Sequence, residues 1–94
     1  MTRILAIDQS TSATKAVIFD AQGNVLEPSS RDDRQIYPKP GWVEHDAEEI
    51  WENTLAVIRE LAGRKPDRAN ELTSLSLTNQ RETILIFEAG TGRP

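Results

Sequence analysis

Three short polar segments, each lying between apolar runs, carry the side chains that could take part in chemistry. The first is the octet of residues 8–15, which reads Asp-Gln-Ser-Thr-Ser-Ala-Thr-Lys. A carboxylate at the end of a strand can hold Mg²⁺ through water, whereas hydroxyls, backbone N–H groups and a lysine can bind phosphate oxygens. The octet also fits an ordinary hairpin loop, in which such side chains bond to their own backbone. It is not a P-loop, because it lacks a glycine-rich run followed by lysine and serine or threonine.

The second segment, residues 35–46, is rich in proline and aromatic residues and reads QIYPKPGWVEHD. Pro38 and Pro40 exclude a helix here, since proline lacks the N–H donor and restricts the residue before it. We interpret residues 28–46 as an extended excursion, within which the aromatic side chains of this segment pack rather than bind a ligand. His45 is the only histidine. It is expected at the surface beside a helix cap, and one histidine cannot build a multi-histidine metal site.

The third segment, residues 78–83, reads TNQRET and separates two apolar runs. Neighbouring residues on a strand point to opposite faces, so Arg81 and Glu82 can serve one ligand only if the strand ends and the chain turns here. In a turn, a guanidinium beside a carboxylate offers donors and acceptors to vicinal hydroxyls. The alternative is a solvated loop with a weak surface ion pair.

The elements that must position these segments follow from the apolar pattern. Strands are predicted where apolar residues run together between turn residues, at 4–7, 15–20, 24–27, 72–78 and 84–87, with a turn at 89–94. Short connections predict an antiparallel meander for the first three strands. A helix is predicted to begin at the N-cap Asp46, with Glu49 completing a capping box, and to end near Gly63. Six apolar residues at helical spacing form its predicted buried stripe: Ile50, Trp51, Leu55, Ile58, Leu61 and Ala62.

The resulting order, β-β-β-α-β-β, predicts an α/β fold. Continuous apolar strands are typical of a sheet covered on both faces, whereas one helix can cover only one face. We therefore expect further polypeptide to cover the second face.

Composition narrows the class of protein further. The 94 residues make about one small domain, and 11 basic against 15 acidic side chains give a net charge of −4. This balance argues against a nucleic-acid binder, which normally carries a basic face. The absence of cysteine excludes a disulfide scaffold and a thiolate zinc site. No apolar stretch approaches the roughly 20 residues of a membrane span, and the apolar start is too short for a signal peptide, so a cytoplasmic location is expected.

Taken together and in this order, the three segments resemble the amino-terminal region of the glycerol kinases, within the FGGY family of carbohydrate kinases. The resemblance spans essentially the whole chain. The octet is shared across sugar kinases, whereas residues 35–46 and 78–83 resemble the glycerol kinases specifically. The resemblance implies part of a ribonuclease-H-like α/β domain of the actin and hexokinase type, with ATP and Mg²⁺ bound in a cleft between two domains.

The resemblance also implies roles for individual residues. Asp8 matches the carboxylate near the metal and the γ-phosphate. The positions that contact the nucleotide phosphates match Thr11, Ser12 and Lys15. Arg81 and Glu82 match the pair that binds the glycerol hydroxyls. No catalytic residue is expected within the chain, because the family's base aspartate lies far beyond position 94.

The octet departs from the glycerol-kinase pattern at three positions. Ser10 stands where glycine is usual, Ser12 replaces a threonine, and Lys15 replaces an arginine. Lysine is a single-point donor rather than a bidentate fork, so phosphate contact is kept with less geometric constraint. These changes leave room for a kinase of another polyol or ketose.

The resemblance sets three expectations for the protein as a whole. Residues 1–94 are expected to be a partial amino-terminal domain, without the second domain that holds the adenine pocket, and therefore inactive alone. The parent is expected to phosphorylate glycerol to glycerol 3-phosphate, and whether it forms a homo-oligomer stays open. The alternative from another class is a non-catalytic α/β module that binds a second chain through its uncovered sheet face.

Overall fold

The computed structural model describes residues 2–64, 72–80 and 83–94. Within these ranges the chain forms six strands and one helix: β1 (Arg3–Gln9), β2 (Ala13–Asp20), β3 (Val25–Asp32), β4 (Gln35–Ile36), β5 (Glu44–His45), α1 (Ala47–Arg64) and β6 (Leu72–Thr78). The α/β fold class is confirmed. In that described part of the chain, no helix is long and apolar enough to cross a membrane.

The main sheet has the strand order β3-β2-β1-β6. β1 pairs antiparallel with β2, and β2 with β3, which confirms the predicted meander. β6 returns after the helix and pairs parallel with β1 on its other side. The turn between β2 and β3 is closed by the Asp20 carboxylate, whose Oδ1 accepts the N–H groups of Gln22 and Asn24 at 3.0 and 2.9 Å. Gly23 has a φ of +85°, a conformation that glycine adopts without a Cβ clash.

The excursion that follows β3 contains a small hairpin of its own. β4 and β5 pair antiparallel, with Gln35 opposite His45 and Ile36 opposite Glu44. The prediction that the aromatic side chains of this segment pack into the fold is wrong. Trp42 is 54% exposed and Tyr37 is 65% exposed. Lys39 Nζ lies 4.8 Å from the centroid of the Trp42 ring, so the ring makes a cation–π contact and is not packed against apolar side chains.

Helix α1 begins at the predicted cap. Asp46 Oδ1 accepts the backbone N–H groups of Glu48 and Glu49 at 3.0 and 3.4 Å. A capping box would also have the Glu49 carboxylate accept the backbone N–H of Asp46. Here that carboxylate instead accepts the backbone N–H of Arg34 and lies 3.6 Å from the Arg34 Nε. The helix passes through Gly63, where an end was predicted, and reaches Arg64.

The core lies between α1 and the sheet. Its six buried apolar side chains come from β1, β2 and α1: Leu5, Ile7, Ala16, Ile18, Val57 and Leu61. The predicted helix stripe is only partly buried: Leu61 lies in the core, whereas Trp51 is 61% exposed. At 100° per residue, Trp51 and Leu55 lie about 80° or more around the helix from Leu61. The apolar residues of α1 therefore extend around the helix beyond the side that packs on the sheet.

The predicted strand at 84–87 is wrong. Residues 83–88 have no strand geometry, and Ile84 is 83% exposed. A strand needs a neighbouring backbone to pair with, and neither edge strand of the described sheet, β3 or β6, pairs with this segment. The predicted turn at 89–94 is confirmed by the bonds from Glu88 N–H to Arg93 O, 2.8 Å, and from Gly92 N–H to Glu88 O, 2.7 Å.

Candidate functional site

Asp8 lies near the carboxyl end of β1, at the point where three strands meet. It is opposite Lys15 on β2 and opposite Thr78 on β6. Residues opposite each other on paired strands share a face of the sheet, so the carboxylate, the lysine and the threonine lie on one surface. Thr78 Oγ1 donates to Asp8 Oδ1 at 2.9 Å, and this bond joins two strands that are 70 residues apart in sequence. All three residues are exposed.

The loop between β1 and β2 is short and internally bonded. Ser10 N–H and Ser10 Oγ both donate to the Ala13 carbonyl at 3.0 Å, and Ala13 N–H lies 3.3 Å from Ser10 Oγ. Thr11 and Ser12 are exposed at the tip. Ser10 therefore closes the turn through both its backbone N–H and its hydroxyl. Thr11, Ser12, Asp8 and Lys15 thus lie at the same end of the hairpin, as the sequence predicts.

A buried polar cluster supports this loop from below. Its centre is Asp33, 5% exposed, whose Oδ2 lies 2.8 Å from the donor Gln9 Nε2 and 2.9 Å from Thr14 Oγ1. Asn53 Nδ2, from the second turn of α1, donates to Asp33 Oδ1 at 2.8 Å. The Asp33 backbone N–H donates to the Ser12 carbonyl at 2.8 Å. This cluster is not predictable from the sequence, because its members are single polar residues without common spacing.

His45 supports the same loop from the outside. It is half-buried, directly before the helix cap as predicted, and its Nε2 lies 2.7 Å from the Thr11 carbonyl oxygen. A carbonyl can only accept, so Nε2 carries a proton and donates. The histidine is therefore more than a surface residue of the cap region.

A cleft of about 830 Å³ opens beside the loop and α1. Its lining includes Thr11 and His45 on one side, Ile50 of α1, and Gln80 and Thr83 of the third polar segment. Thr83 Oγ1 donates to Gln80 Oε1 at 3.2 Å. Arg81 and Glu82, the predicted hydroxyl-binding pair, lie outside the described residues, and their role stays a prediction.

The metal prediction rests on Asp8 alone. In residues 2–64, 72–80 and 83–94 no group of three or more histidine, cysteine, aspartate or glutamate side chains could hold a metal ion. Mg²⁺ usually keeps several waters and takes one or two carboxylates together with substrate phosphates. A single exposed carboxylate beside a loop of hydroxyl and N–H donors is compatible with Mg²⁺ bound in this way, and the metal role of Asp8 stays a prediction.

The carboxyl groups with shifted pKa values lie away from this loop. A hydrogen bond from Ser29 Oγ, 2.8 Å, lowers the pKa of Glu60, and Arg64 and Arg31 lower it further. The side chain of Asn24 lowers the pKa of Asp20. Both carboxylates stabilise the framework and take no part in the candidate site.

Comparison with known proteins matches residues 3–94 to the FGGY family of carbohydrate kinases, N-terminal domain. A glycerol kinase from Methylibium petroleiphilum is 46% identical over 94 residues, covering 100% of this chain and 19% of that protein. A glycerol kinase from Bordetella pertussis is 52% identical over 91 residues, covering 97% of this chain and 18% of that protein. The chain therefore spans about a fifth of the length of these curated relatives.

Solved structures show the same fold. The crystal structure of Plasmodium falciparum glycerol kinase with ADP aligns with a TM-score of 0.80 at 38% identity, covering 100% of this chain and 19% of that chain. A xylulose kinase from Brucella ovis aligns with a TM-score of 0.87 at 24% identity, covering 94% and 18%, and shows the fold alone. The fold implied by the sequence resemblance, part of an actin- and hexokinase-type ATPase domain, is confirmed.

Proposed function

Because the chain belongs to the FGGY family of carbohydrate kinases, we propose that it forms the phosphate- and acceptor-binding part of an ATP-dependent glycerol kinase. The γ-phosphoryl group passes from ATP to a terminal hydroxyl of glycerol, which gives glycerol 3-phosphate and ADP. The proposal places this reaction in the cytoplasm and regards residues 1–94 as part of the family's first domain.

One observation carries the proposal. Asp8, Lys15 and the 10–12 loop lie at one end of the sheet, and Thr11 of that loop lines a cleft together with Gln80 and Thr83 of the third polar segment. The chain is 46–52% identical to two glycerol kinases. A nucleotide held at the loop would direct its phosphates toward that cleft. Phosphoryl transfer depends mainly on positioning and charge stabilisation, and this end of the sheet offers groups for both.

At the phosphate end, the Thr11 and Ser12 hydroxyls and the loop N–H groups donate to phosphate oxygens, and Lys15 adds a positive charge. Asp8 would hold Mg²⁺ through water, and the ion would supply positive charge against the phosphates of ATP. The bond from Thr78 Oγ1 keeps the Asp8 carboxylate in a fixed orientation. The general base is an aspartate supplied from outside residues 1–94.

At the acceptor end, Arg81 and Glu82 bind the glycerol hydroxyls. A guanidinium supplies only donors and a carboxylate only acceptors, so the two together match a pair of vicinal hydroxyls. Gln80 and Thr83 flank the pair and line the cleft with Thr11, which supports an acceptor site facing the phosphate loop.

The second candidate is a kinase of the same family for another polyol or ketose. One observation favours it: the three departures within the octet. Both candidates use the same phosphate end and differ in the acceptor end alone.

The test is a substrate panel on the protein expressed from its complete reading frame. ATP-dependent ADP formation is measured with glycerol, xylulose, gluconate and ribitol. We expect the highest kcat/KM with glycerol. A higher kcat/KM with another substrate would establish the second candidate, and no ADP formation with any of them would favour a non-catalytic module.

A further inference from the structure

The 10–12 loop is held by two bonds from one segment, residues 33–45, that the family resemblance assigns no role in phosphate binding. The Asp33 backbone N–H donates to the Ser12 carbonyl at 2.8 Å. The His45 imidazole donates from Nε2 to the Thr11 carbonyl at 2.7 Å. Two successive carbonyl groups at the tip of the loop are thus bound by residues that are 12 apart in sequence.

These bonds fix the direction of the loop's N–H groups as well. A trans peptide is planar, so the N–H of each residue points opposite to the carbonyl of the residue before it. Holding the Thr11 carbonyl toward His45 turns the Ser12 N–H the other way. Holding the Ser12 carbonyl toward Asp33 turns the Ala13 N–H away, and that group lies 3.3 Å from Ser10 Oγ. Both carbonyl oxygens, which would repel an anion, are thus bound by other groups, and the Ser12 N–H points away from the side on which His45 lies.

The two bonds to the loop differ in whether a substitution can remove them. The bond from Asp33 uses the backbone and is set in a buried polar cluster. The bond from His45 uses a half-buried side chain on β5, whose backbone is fixed by pairing with Gln35 and by the start of α1 at the next cap residue. The Thr11–Ser12 peptide is therefore held from outside by a single replaceable group.

We propose that His45 is a positioning residue for the nucleotide: its imidazole binds the Thr11 carbonyl and so orients the Ser12 N–H toward the phosphates. This inference rests on the proposed function. His45 also lines the cleft, and in this scheme it affects nucleotide binding through the peptide plane that it holds and not by contact with the phosphates.

The test compares three variants in the protein expressed from its complete reading frame. His45→Gln places an amide N–H near the position of Nε2 and retains the bond. His45→Asn carries the same amide on a shorter side chain and does not reach Thr11. Tyr37→Phe removes a hydroxyl from the same segment, whose partner is Gln35, and serves as the control. For each protein, kcat and the KM values for ATP and glycerol are measured, together with hydrogen exchange of peptides that contain residues 10–13.

We expect His45→Asn to raise the KM for ATP about tenfold, with the KM for glycerol within about twofold of the wild type. His45→Gln should recover most of the loss. Hydrogen exchange at residues 10–13 should rise in His45→Asn alone. The inference is overturned if His45→Asn matches Tyr37→Phe, if His45→Gln is as impaired as His45→Asn, or if both KM values rise together.

Failure of the proposed function gives a different pattern. A wild-type protein that forms no ADP with any polyol defeats the kinase assignment and the nucleotide role of His45 together. A wild-type protein that is active, with His45→Asn indistinguishable from it, defeats the positioning role alone. Thermal unfolding of each variant, expected within a few degrees of the wild type, separates local effects from loss of the fold.

Discussion

Thr14 Oγ1 lies 2.9 Å from Asp33 Oδ2, and both side chains are almost wholly buried. Thr14 lies in β2, and Asp33 directly follows β3, so this contact ties two neighbouring strands together at the base of the candidate phosphate loop. The same hydroxyl lies 2.8 Å from Gln9 Oε1, and its one proton serves one of these acceptors at a time. The loop thus lies next to buried polar side chains, whereas the apolar core of β1, β2 and α1 lies farther from it.

Replacing the Asp33 carboxylate should destabilise the fold. In Asp33→Asn, an amide NH₂ takes the place of one carboxylate oxygen: either Oδ2, which accepts from Gln9, or Oδ1, which accepts from Asn53. A buried donor left against another donor costs about 1–3 kcal/mol in the free energy of unfolding. Urea unfolding measures this loss. Asp32→Asn, on the exposed neighbouring residue, should change it by less than about 0.5 kcal/mol, and equal effects for the two variants would contradict a buried network.

Asp8→Asn should lower kcat in the protein expressed from its complete reading frame and leave glycerol binding nearly intact. The reason is that the carboxylate is proposed to act on the metal and phosphate charge, which matters most in the transition state. Loss of one such group costs about 10²-fold in kcat. Steady-state assays measure this, with Glu52→Gln on the exposed side of α1 as the control. An unchanged kcat would remove Asp8 from the mechanism.

Arg81→Lys and Glu82→Gln test the acceptor site. The first keeps the charge and loses the planar fork, and the second keeps the shape and loses the charge. Each should raise the KM for glycerol at least about tenfold, or about 1.4 kcal/mol of binding. The KM for ATP should change little, because the proposal puts the nucleotide at the 10–12 loop and not at the acceptor pair.

Glu88→Gln, outside the third polar segment, is the matched control for these two variants. If Arg81 and Glu82 formed only a solvated ion pair, both substitutions would leave both KM values unchanged. That result would remove the main reason for choosing glycerol over other polyols.

Glu60 should make the stability of the fold depend on pH. Ser29, Arg64 and Arg31 lower its pKa in the folded state below the ordinary value of 4.5. A carboxyl group whose folded pKa is lowered adds stability above the unfolded pKa and loses it as the pH falls through the folded pKa. Glu60→Gln should therefore have a lower Tm than the wild type at pH 7, and the difference should shrink as the pH falls below 4.5. A difference that stays constant with pH would contradict this role.

A polypeptide of residues 1–94 should self-associate through β6. This edge strand presents Leu75 and Leu77, which are 62% and 65% exposed, together with an unpaired backbone edge in the described sheet. Exposed apolar edge strands template pairing with another chain, whereas a charge on them opposes it. Sedimentation velocity over a range of concentrations should show dimers or larger species, and Leu77→Lys should reduce them. A monomer at all concentrations would contradict the prediction.

Local chemistry alone determined a large part of this fold. The apolar runs predicted β1, β2 and β6, because a strand that is buried on one or both faces needs apolar side chains whatever its position in the sheet. The short turn at 21–24 set the antiparallel pairing of β2 and β3, since two strands so close in sequence have no room for a crossover. Asp46 marked the start of α1 because capping depends only on the next three residues.

Tertiary structure decided what depends on residues far apart in sequence. The apolar run 84–87 is not a strand, because strand formation requires a partner edge and not composition alone. Asp33 reaches Gln9 across 24 residues and Asn53 across 20, and His45 reaches Thr11 across 34. A hydrogen bond between two single polar residues is not marked by any repeated spacing in the sequence. The chemistry-bearing loop could therefore be predicted from its own residues, whereas the groups that hold it in place became visible only once the chain was folded.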